Sequence, residues 1–282
     1  METTIKPKWS PSRVLLLILF SMFAVFALFP IITLTIASFK PAQELMRFGL
    51  NLNIDPELFS FKNYSYLFTS ESLYLNWYKN SIVITAIYTV LCLLISSMVG
   101  YGLAVYQFRF RNTIFALVLI TMMVPLEIII LPLYKLSISL QLINSMWGVI
   151  LPFIAAPLPI FFFRQYASGL PKDFLDAARV DGCTEFGTFF RVIMPLMLPA
   201  FSSMAILQAL FCWNNFLWPL IVLRTNEQLT IPIGLSTLIT PYGNNFDMLI
   251  SGAVLAIVPI LIVFLFFQKY FIEGMTAGGV KG

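Results

Sequence analysis

The amino-acid sequence predicts an all-α integral membrane protein with six transmembrane helices. Its 282 residues are 59% hydrophobic and only 11% charged. The mean hydropathy is +0.89, and long apolar runs recur along the chain. About 20 consecutive apolar residues cross a bilayer as a helix. A water-soluble fold has no use for six such runs, so the composition excludes an ordinary soluble domain.

Charge and residue usage exclude further kinds of function. The 17 Lys+Arg against 13 Asp+Glu leave a net charge of +4, which is too small and too dispersed to indicate nucleic-acid binding. Cys92, Cys183 and Cys212 are widely spaced and resemble packing residues more than a disulfide or metal set. The chain has no histidine, so the commonest metal ligand and general base is absent. We expect no metal site and no catalytic set for an intramembrane enzyme.

Six segments carry the apolar runs, and their expected bounds are residues 14–37, 80–106, 113–134, 146–163, 195–223 and 248–267. The first follows Lys6, Lys8 and Arg13, as the core of a signal peptide would. It is longer than the roughly 7–15 residues of such a core and lacks a small-residue cleavage site. We therefore expect this segment to be the first helix of the mature protein.

Turns and prolines shape the later segments. The second ends at the basic turn QFRFRN. The third contains Pro125 and Pro132, and the fourth contains Pro152, Pro157 and Pro159. An interior proline removes a helical hydrogen bond, so the third span is expected to be broken at its two prolines. The fifth and sixth read as single apolar runs.

The distribution of basic residues predicts the orientation. The side of the membrane that holds the N-terminus carries 11 of the 17 basic residues, and the opposite side carries 6. The positive-inside rule puts both termini in the cytoplasm. We expect a cytoplasmic tail over residues 1–13, a membrane domain over residues 14–270 and a cytoplasmic tail over residues 271–282. The domain includes a cytoplasmic loop at about residues 164–194.

That loop contains a short charged helix, expected from Lys172 to Gly182. Apolar side chains at positions 174, 175, 177 and 178 fall in one arc of the helix, opposite most of the charges. Asp173 lies in the first turn, where the helix dipole favours an anion. Gly182 suits the left-handed conformation that ends a helix, and Thr184 suits the cap of a second one.

Two interpretations fit this helix equally by pattern. It is either an amphipathic connector lying on the membrane surface or a contact surface for another protein. A helix that lies on a membrane gains by burying large side chains, whereas the central pair Ala177 and Ala178 allows another protein to approach closely. The alanines therefore favour the second interpretation.

The stretch DAARVDGCTEFGTFFRVIMP resembles the cytoplasmic loop of ATP-binding-cassette importer permeases. The family pattern is Glu-Ala-Ala, three residues, Gly, nine residues, Ile-x-Leu-Pro, and this chain matches its spacing over twenty positions. Asp176 for Glu, Val192 for Ile and Met194 for Leu are mild departures. CWNNFLWPL and FIEGMTAGGVKG are similar to carbohydrate permeases of the maltose-transporter type. MMVPLEIIILPLY, TPYGNNFDMLISG and FFRQYASGLP are most similar to the arabino-oligosaccharide permeases of that group.

The resemblance implies a multi-pass permease subunit of a bacterial plasma membrane, not an enzyme, that forms half of a sugar importer's pore. The loop helix would dock in a cleft of a separate ATPase. The residues implied for docking are Asp176, Ala177, Ala178, Arg179, Gly182 and Glu185. The chain lacks a GxxxxGK[ST] phosphate loop, so it cannot supply the ATP chemistry itself. We expect no cofactor on this chain, with ATP and magnesium bound by the partner ATPase. Expected partners are a second permease, two ATPase subunits, an extracytoplasmic solute-binding protein and lipid.

The glycine-rich tail at residues 271–282 has two interpretations. The resemblance implies that it runs along the ATPase, whereas such segments are also typical of frayed termini.

Polar side chains inside the apolar runs are the candidates for a sugar path: Glu127, Gln208, Trp213, Asn214 and Asn215. Amides bind sugar hydroxyls and aromatic rings bind apolar sugar faces, but amides also join transmembrane helices. A carboxylate in the bilayer is costly, and Glu127 either lines the path or braces the break between Pro125 and Pro132.

An ion-coupled secondary transporter of a small polar solute is the alternative function. The outer loop, residues 224–247, either closes the mouth, touches a binding protein or is plain surface.

Overall fold

The computed structural model describes residues 11–69, 72–240 and 243–277, and most of these residues are helical. Their helices are α1 (Pro11–Ser38), α2 (Ala42–Phe48), α3 (Lys62–Leu67), α4 (Tyr74–Val105), α5 (Arg111–Thr121), α6 (Leu126–Ser139), α7 (Met146–Ile150), α8 (Pro157–Ser168), α9 (Asp173–Val180), α10 (Glu185–Thr188), α11 (Met194–Leu196), α12 (Leu198–Trp213), α13 (Leu217–Val222), α14 (Ile231–Ser236) and α15 (Phe246–Ala277). The described β-structure is a two-residue antiparallel pairing of β1 (Ile239–Thr240) with β2 (Gly243–Asn244). Most of the predicted N-terminal tail, and the end of the predicted C-terminal tail from residue 278, lie outside the described residues.

The chain forms two compact units. The first comprises Met1–Ser72 and Leu238–Leu255, and the second comprises Leu73–Thr237 and Ala256–Gly282. Helices α1, α2 and α3 belong to the first unit with the β pairing and the start of α15. The second unit holds α4 to α14 and the rest of α15, and it contains both the loop helix and the polar positions of interest.

Three of the described helices are long and apolar enough to cross a membrane, namely α1, α4 and Phe246–Lys269 of α15. Three bent helix pairs pass the same test together. They are Arg111–Thr121 with Leu126–Ser139, Met146–Phe153 with Pro157–Ser168, and Glu185–Leu196 with Leu198–Trp213. The described residues therefore contain up to six spans if each bent pair crosses once.

The bends in these pairs follow the prolines only in part. The third segment turns by 104° just before α6, for which Pro125 is the N-cap with extended backbone. Pro132 lies inside α6 without ending it, so the prediction of a second break there is wrong. The fourth segment bends by 44° at residues 154–156, ahead of Pro157.

Two expected boundaries are also corrected. Helix α4 begins at Tyr74 rather than at residue 80. The fifth segment is not a single run, because α12 ends at Trp213 and α13 begins at Leu217. Pro219 has no backbone N–H to donate to residue 215, and its ring disfavours a continuous helix through that position. The amides of Asn214 and Asn215 therefore sit in a break of the helix.

The core of the second unit lies where α4 crosses α8, and Gly100 permits their close approach. A Cβ at Gly100 would lie 2.8 Å from the Arg164 nitrogen and 2.8 Å from the Phe163 Cβ. The fully buried Phe163 ring packs 4.8 Å from the Phe201 ring. This hydrophobic cluster extends through Tyr101 on α4 to Met204 on α12, and it also takes in residues of the segment that carries the loop helix.

The first unit is held by polar contacts close to the end of α1. Asn63 donates from its amide to the carbonyl oxygens of Ser38 and Lys40, each at 2.9 Å. The Lys40 ammonium is buried and donates to the Asn51 Oδ1 atom at 2.7 Å. These bonds satisfy polar groups that burial would otherwise leave unpaired.

Candidate functional site

The loop helix α9 ends in the conformation that the sequence predicts. Gly182 has φ of +75°. Its N–H donates to the Arg179 carbonyl at 3.0 Å, and the Cys183 N–H donates to the Ala178 carbonyl at 3.0 Å. This pair of bonds is the Schellman arrangement, which satisfies the last carbonyls of a helix. No atom lies within 4 Å of a Cβ built at Gly182, so the glycine is required by its backbone angle and not by crowding.

The two faces of α9 differ from the predicted apolar arc. Leu175 and Ala178 are buried at 8% and 4% exposure. Phe174 and Val180 are exposed at 45% and 87%, and Ala177 between them is also exposed. The predicted apolar arc is therefore divided between a buried part and an exposed part. Leu175 and Ala178 turn toward the chain's own core, while an apolar stripe at positions 174, 177 and 180 faces outward.

An ionic network joins α9 to the next helix and to the end of α4. The Arg179 guanidinium lies 3.9 Å from Asp176 and 3.4 Å from Glu185. The Tyr106 hydroxyl donates to the second oxygen of Glu185. That hydrogen bond is the main cause that lowers the pKa of Glu185, and Arg179 lowers it further. Exposed ion pairs contribute little stability, so we take this network to orient the loop more than to stabilise it.

The segment after α9 leads directly into the core of the second unit. The Thr184 hydroxyl accepts from the Gly187 N–H at 3.1 Å and caps α10, as predicted. A five-residue π-helix, Phe189–Ile193, follows, and π-helical turns are frequent at functional sites. Phe189 is buried with its ring 5.3 Å from that of Tyr101. The chain then bends by 79° at Met197 into α12.

The polar positions of the fifth segment do not converge on one site. Gln208 is buried and accepts from the Tyr88 hydroxyl at 2.7 Å, with the Cys92 thiol 3.8 Å away. Trp213 donates from Nε1 to the Ala256 carbonyl at 3.1 Å. Asn214 is exposed and donates to the Leu210 carbonyl at 3.0 Å, while Asn215 is half-buried in the break. Two of these four side chains thus join helices within the chain.

Gln208 also lines a cavity of about 250 Å³. Tyr88, Phe153 and Phe211 line it with the three prolines of the fourth segment, Pro152, Pro157 and Pro159. The break in that segment therefore opens a space with one amide and one phenol in an apolar wall. The sequence interpretation missed Tyr88. A tyrosine inside an apolar run needs a partner for its hydroxyl, and that need was the available signal.

Glu127 lies in the first turn of α6, directly after the 104° bend. Its side chain is exposed, and an acid at this position suits the positive end of the helix dipole. Among the described residues its carboxylate has no hydrogen bond or ion pair. The brace across the break that the sequence suggested is thus absent from the described part of the chain.

Known proteins match this chain over most of its length. The family model of the binding-protein-dependent transport system inner membrane component matches residues 93–277. The arabinooligosaccharides transport system permease protein AraQ of Bacillus subtilis (strain 168) is 62% identical over 98% of both chains. AraQ of Halalkalibacterium halodurans is 56% identical over 99% of this chain and 100% of its own. The lactose transport system permease protein LacG of Rhizobium radiobacter is 37% identical over 72% and 74% of the two chains.

A solved structure shares the fold. It belongs to a bacterial ABC transporter involved in the import of the acidic polysaccharide alginate. The match has a TM-score of 0.78 and 23% sequence identity, and it covers 94% of this chain and 100% of the other. At this identity the likeness concerns the arrangement of helices and not the substrate.

Proposed function

The chain belongs to the family of binding-protein-dependent transport system inner membrane components, and from this premise we propose that it forms half of the pore of an ATP-binding-cassette importer for arabino-oligosaccharides. The substrate is suggested by the two AraQ relatives, which match almost end to end. The chain is a transport subunit and not an enzyme, and the ATP and magnesium chemistry belongs to a separate ATPase.

The exposed apolar stripe of α9 is the observation that supports this proposal. Phe174, Ala177 and Val180 present apolar surface on a helix whose other face is already packed against the chain. Apolar side chains flanked by charge are typical of protein contacts. We assign this stripe to the ATPase cleft, with Asp176 and Arg179 at its polar edge. Ala178 and Gly182 act indirectly, because the first is buried and the second ends the helix.

A docked α9 would move the membrane helices through contacts that are already present. Leu175 belongs to the hydrophobic cluster that includes Tyr101 of α4 and Phe163 of α8. Burying a leucine side chain contributes roughly 1.5–3 kcal/mol, so the helix is firmly attached. The Tyr106–Glu185 hydrogen bond gives a second connection to the end of α4. Movement of the ATPase would thus reach α4, α8 and α12 together.

For the sugar path we propose the cavity beside Gln208 and the exposed amide of Asn214. Tyr88 and Gln208 supply a hydroxyl and an amide next to apolar walls, which is the mixture that a sugar requires. Glu127 and Asn215 are secondary candidates, and Trp213 acts by holding α12 against α15.

The proposed assembly contains a second permease, two ATPase subunits and an extracytoplasmic solute-binding protein, and the family description itself specifies a binding protein. Both termini and α9 lie in the cytoplasm in this proposal. The three long helices, the bent pairs α5 with α6 and α7 with α8, and α12 then cross the membrane as six spans.

Sidedness is the first test. In a background without the native cysteines, Val180→Cys and Phe61→Cys place thiols at two exposed positions, 87% and 75% accessible. An impermeant maleimide applied to intact cells should label Phe61→Cys and spare Val180→Cys. A bifunctional reagent applied to membranes should join Val180→Cys to the ATPase. Labelling of Val180→Cys from outside would disprove the docking proposal.

Energy coupling is the second test, and it separates an importer from an ion-coupled transporter. Vesicles that contain the complete complex should take up arabino-oligosaccharides with vanadate sensitivity and without an ion gradient. Uptake that vanishes when the ion gradient collapses, and that persists without the ATPase, would favour the secondary-transporter alternative.

A further inference from the structure

Two arginines near the turn between α4 and α5 have no acidic partner in the described part of the chain. The Nε atoms of Arg111 and Arg164 are buried and have no hydrogen-bond partner among the described residues. The remaining contacts of these guanidinium groups are long. Arg111 reaches the Tyr106 carbonyl and Arg164 reaches the Gln165 amide oxygen, each at 3.4 Å. The ion pairs of the described residues involve Arg179 and neither of these two.

The fold brings these two side chains to the same face of α5. Arg111 is the first residue of α5, and Phe115 follows it by one helical turn. The Arg164 guanidinium stacks over the Phe115 ring at 3.6 Å from its centroid. Gly100 sets the position of the Arg164 backbone, because the absence of a side chain lets α4 lie close to the backbone nitrogen of Arg164. Two positive charges thus approach the same turn from α5 and α8.

Such a pair is costly unless an anion joins it. Like charges at close range repel, and each buried N–H without an acceptor loses the hydrogen bond that water would provide. The stacked ring offsets part of the cost for Arg164 alone. An oxyanion with several acceptor oxygens would neutralise both charges, and guanidinium groups bind phosphate through their N–H groups.

The neighbouring surface points to the source of that phosphate. Ile114 and Leu117 on α5 are exposed apolar residues, as is Phe110 immediately before the helix. A free ion gains nothing from apolar surface, whereas the acyl chains of a lipid cover it. Basic sites between membrane helices, close to the membrane surface, bind anionic headgroups. We propose that Arg111 and Arg164 bind the phosphate of an anionic phospholipid at the boundary where α5 enters the membrane.

The test uses the complete purified transporter in detergent, with phosphatidylglycerol or phosphatidylcholine added. Phosphatidylglycerol should raise the thermal midpoint of the wild type above the value in phosphatidylcholine. Arg111→Gln with Arg164→Gln should abolish that difference. Arg109→Gln is the matched control, because it removes a charge from the same turn, and the Arg109 guanidinium stacks over Phe110 and not over Phe115. It should keep the difference.

Native mass spectrometry of the wild type gives a readout that needs no variant. Retained phosphatidylglycerol should exceed phosphatidylcholine by at least about tenfold, since hydrogen bonds to charged groups are worth that factor. Equal retention of the two lipids would overturn the proposal. A rise of the thermal midpoint of the same size with inorganic phosphate alone would also overturn it. Loss of the ATPase from the double variant, regardless of lipid, would overturn it too, because it would indicate that the arginines bind an acidic residue of the partner.

Discussion

The loop segment (residues 172–195) and the fifth segment differ in where their side chains find contacts; the polar positions compared in the fifth segment are Gln208, Trp213, Asn214 and Asn215. In the loop segment the helix ends lie where the local sequence predicts them, and the apolar side chains that do not pack against the chain point outward. In the fifth segment two polar side chains turn inward and find partners on other helices. A polar residue in an apolar run is therefore weak support for a substrate path, whereas an exposed apolar stripe on a charged helix is strong support for a partner.

The difference has a physical cause. In water, the ends of a helix and its charged side chains can be satisfied locally or by solvent. In lipid, a polar side chain without a partner costs free energy, so it bonds to whichever helix lies nearest. Gln208 pairs with Tyr88 for this reason, although the two are 120 positions apart.

Leu175 and Phe174 are adjacent, but they should behave oppositely. Leu175→Ala removes a buried side chain and should lower stability by about 2–5 kcal/mol, seen as a lower thermal midpoint of the assembled transporter. Phe174→Ala should leave the midpoint nearly unchanged and weaken the stimulation of ATPase activity by loaded binding protein. Equal loss of stability in both variants would mean that α9 does not have two distinct faces.

Gln208 and Asn214 provide the corresponding pair in the membrane. Gln208→Leu leaves the Tyr88 hydroxyl without its 2.7 Å acceptor, at a cost of about 1–3 kcal/mol. Adding Tyr88→Phe should recover most of the lost thermal stability. Asn214→Leu should change the midpoint little and alter uptake or sugar preference. If Asn214→Leu leaves transport untouched, Asn214 does not belong to the path.

Gly182 tests the local rule by itself. Gly182→Val forces a β-branched residue to φ of +75° and should cost about 1–2 kcal/mol. Gly182→Asn should be tolerated better, since asparagine enters this region more readily. In Gly182→Val, ATP hydrolysis should no longer drive uptake. In Gly182→Asn, ATP hydrolysis and uptake should stay coupled.

Gly49 is the control, because it is the other described glycine with positive φ and also has free space around it. Gly49→Val should leave coupling intact. If it uncouples transport as strongly as Gly182→Val, the effect is not specific to α9.

Much of the fold was predictable because the forces behind it act over short distances. Apolar length fixes which segments can span a bilayer, and Gly182 and Thr184 fix the ends of α9 and the start of α10. Two errors were local: Pro132 does not end α6, and the fifth segment breaks at Asn214 because Pro219 follows five positions later. The other error depended on contacts between distant residues. The split of the apolar arc was not predictable, because the pattern does not say which side meets Tyr101 and Phe163.

Hydrophobic length, backbone angles and motif spacing are local properties, and they are enough to predict the apolar spans, the capped loop helix and the family to which the chain belongs. Three other features depend on how the helices pack: Leu175 is buried while Phe174 is exposed, Gln208 bonds to Tyr88, and Arg164 stacks over Phe115, one helical turn from Arg111. Those outcomes depend on which helices cross and at which residue, and close crossings such as that of α4 with α8 at Gly100 are set by packing among residues far apart in the chain.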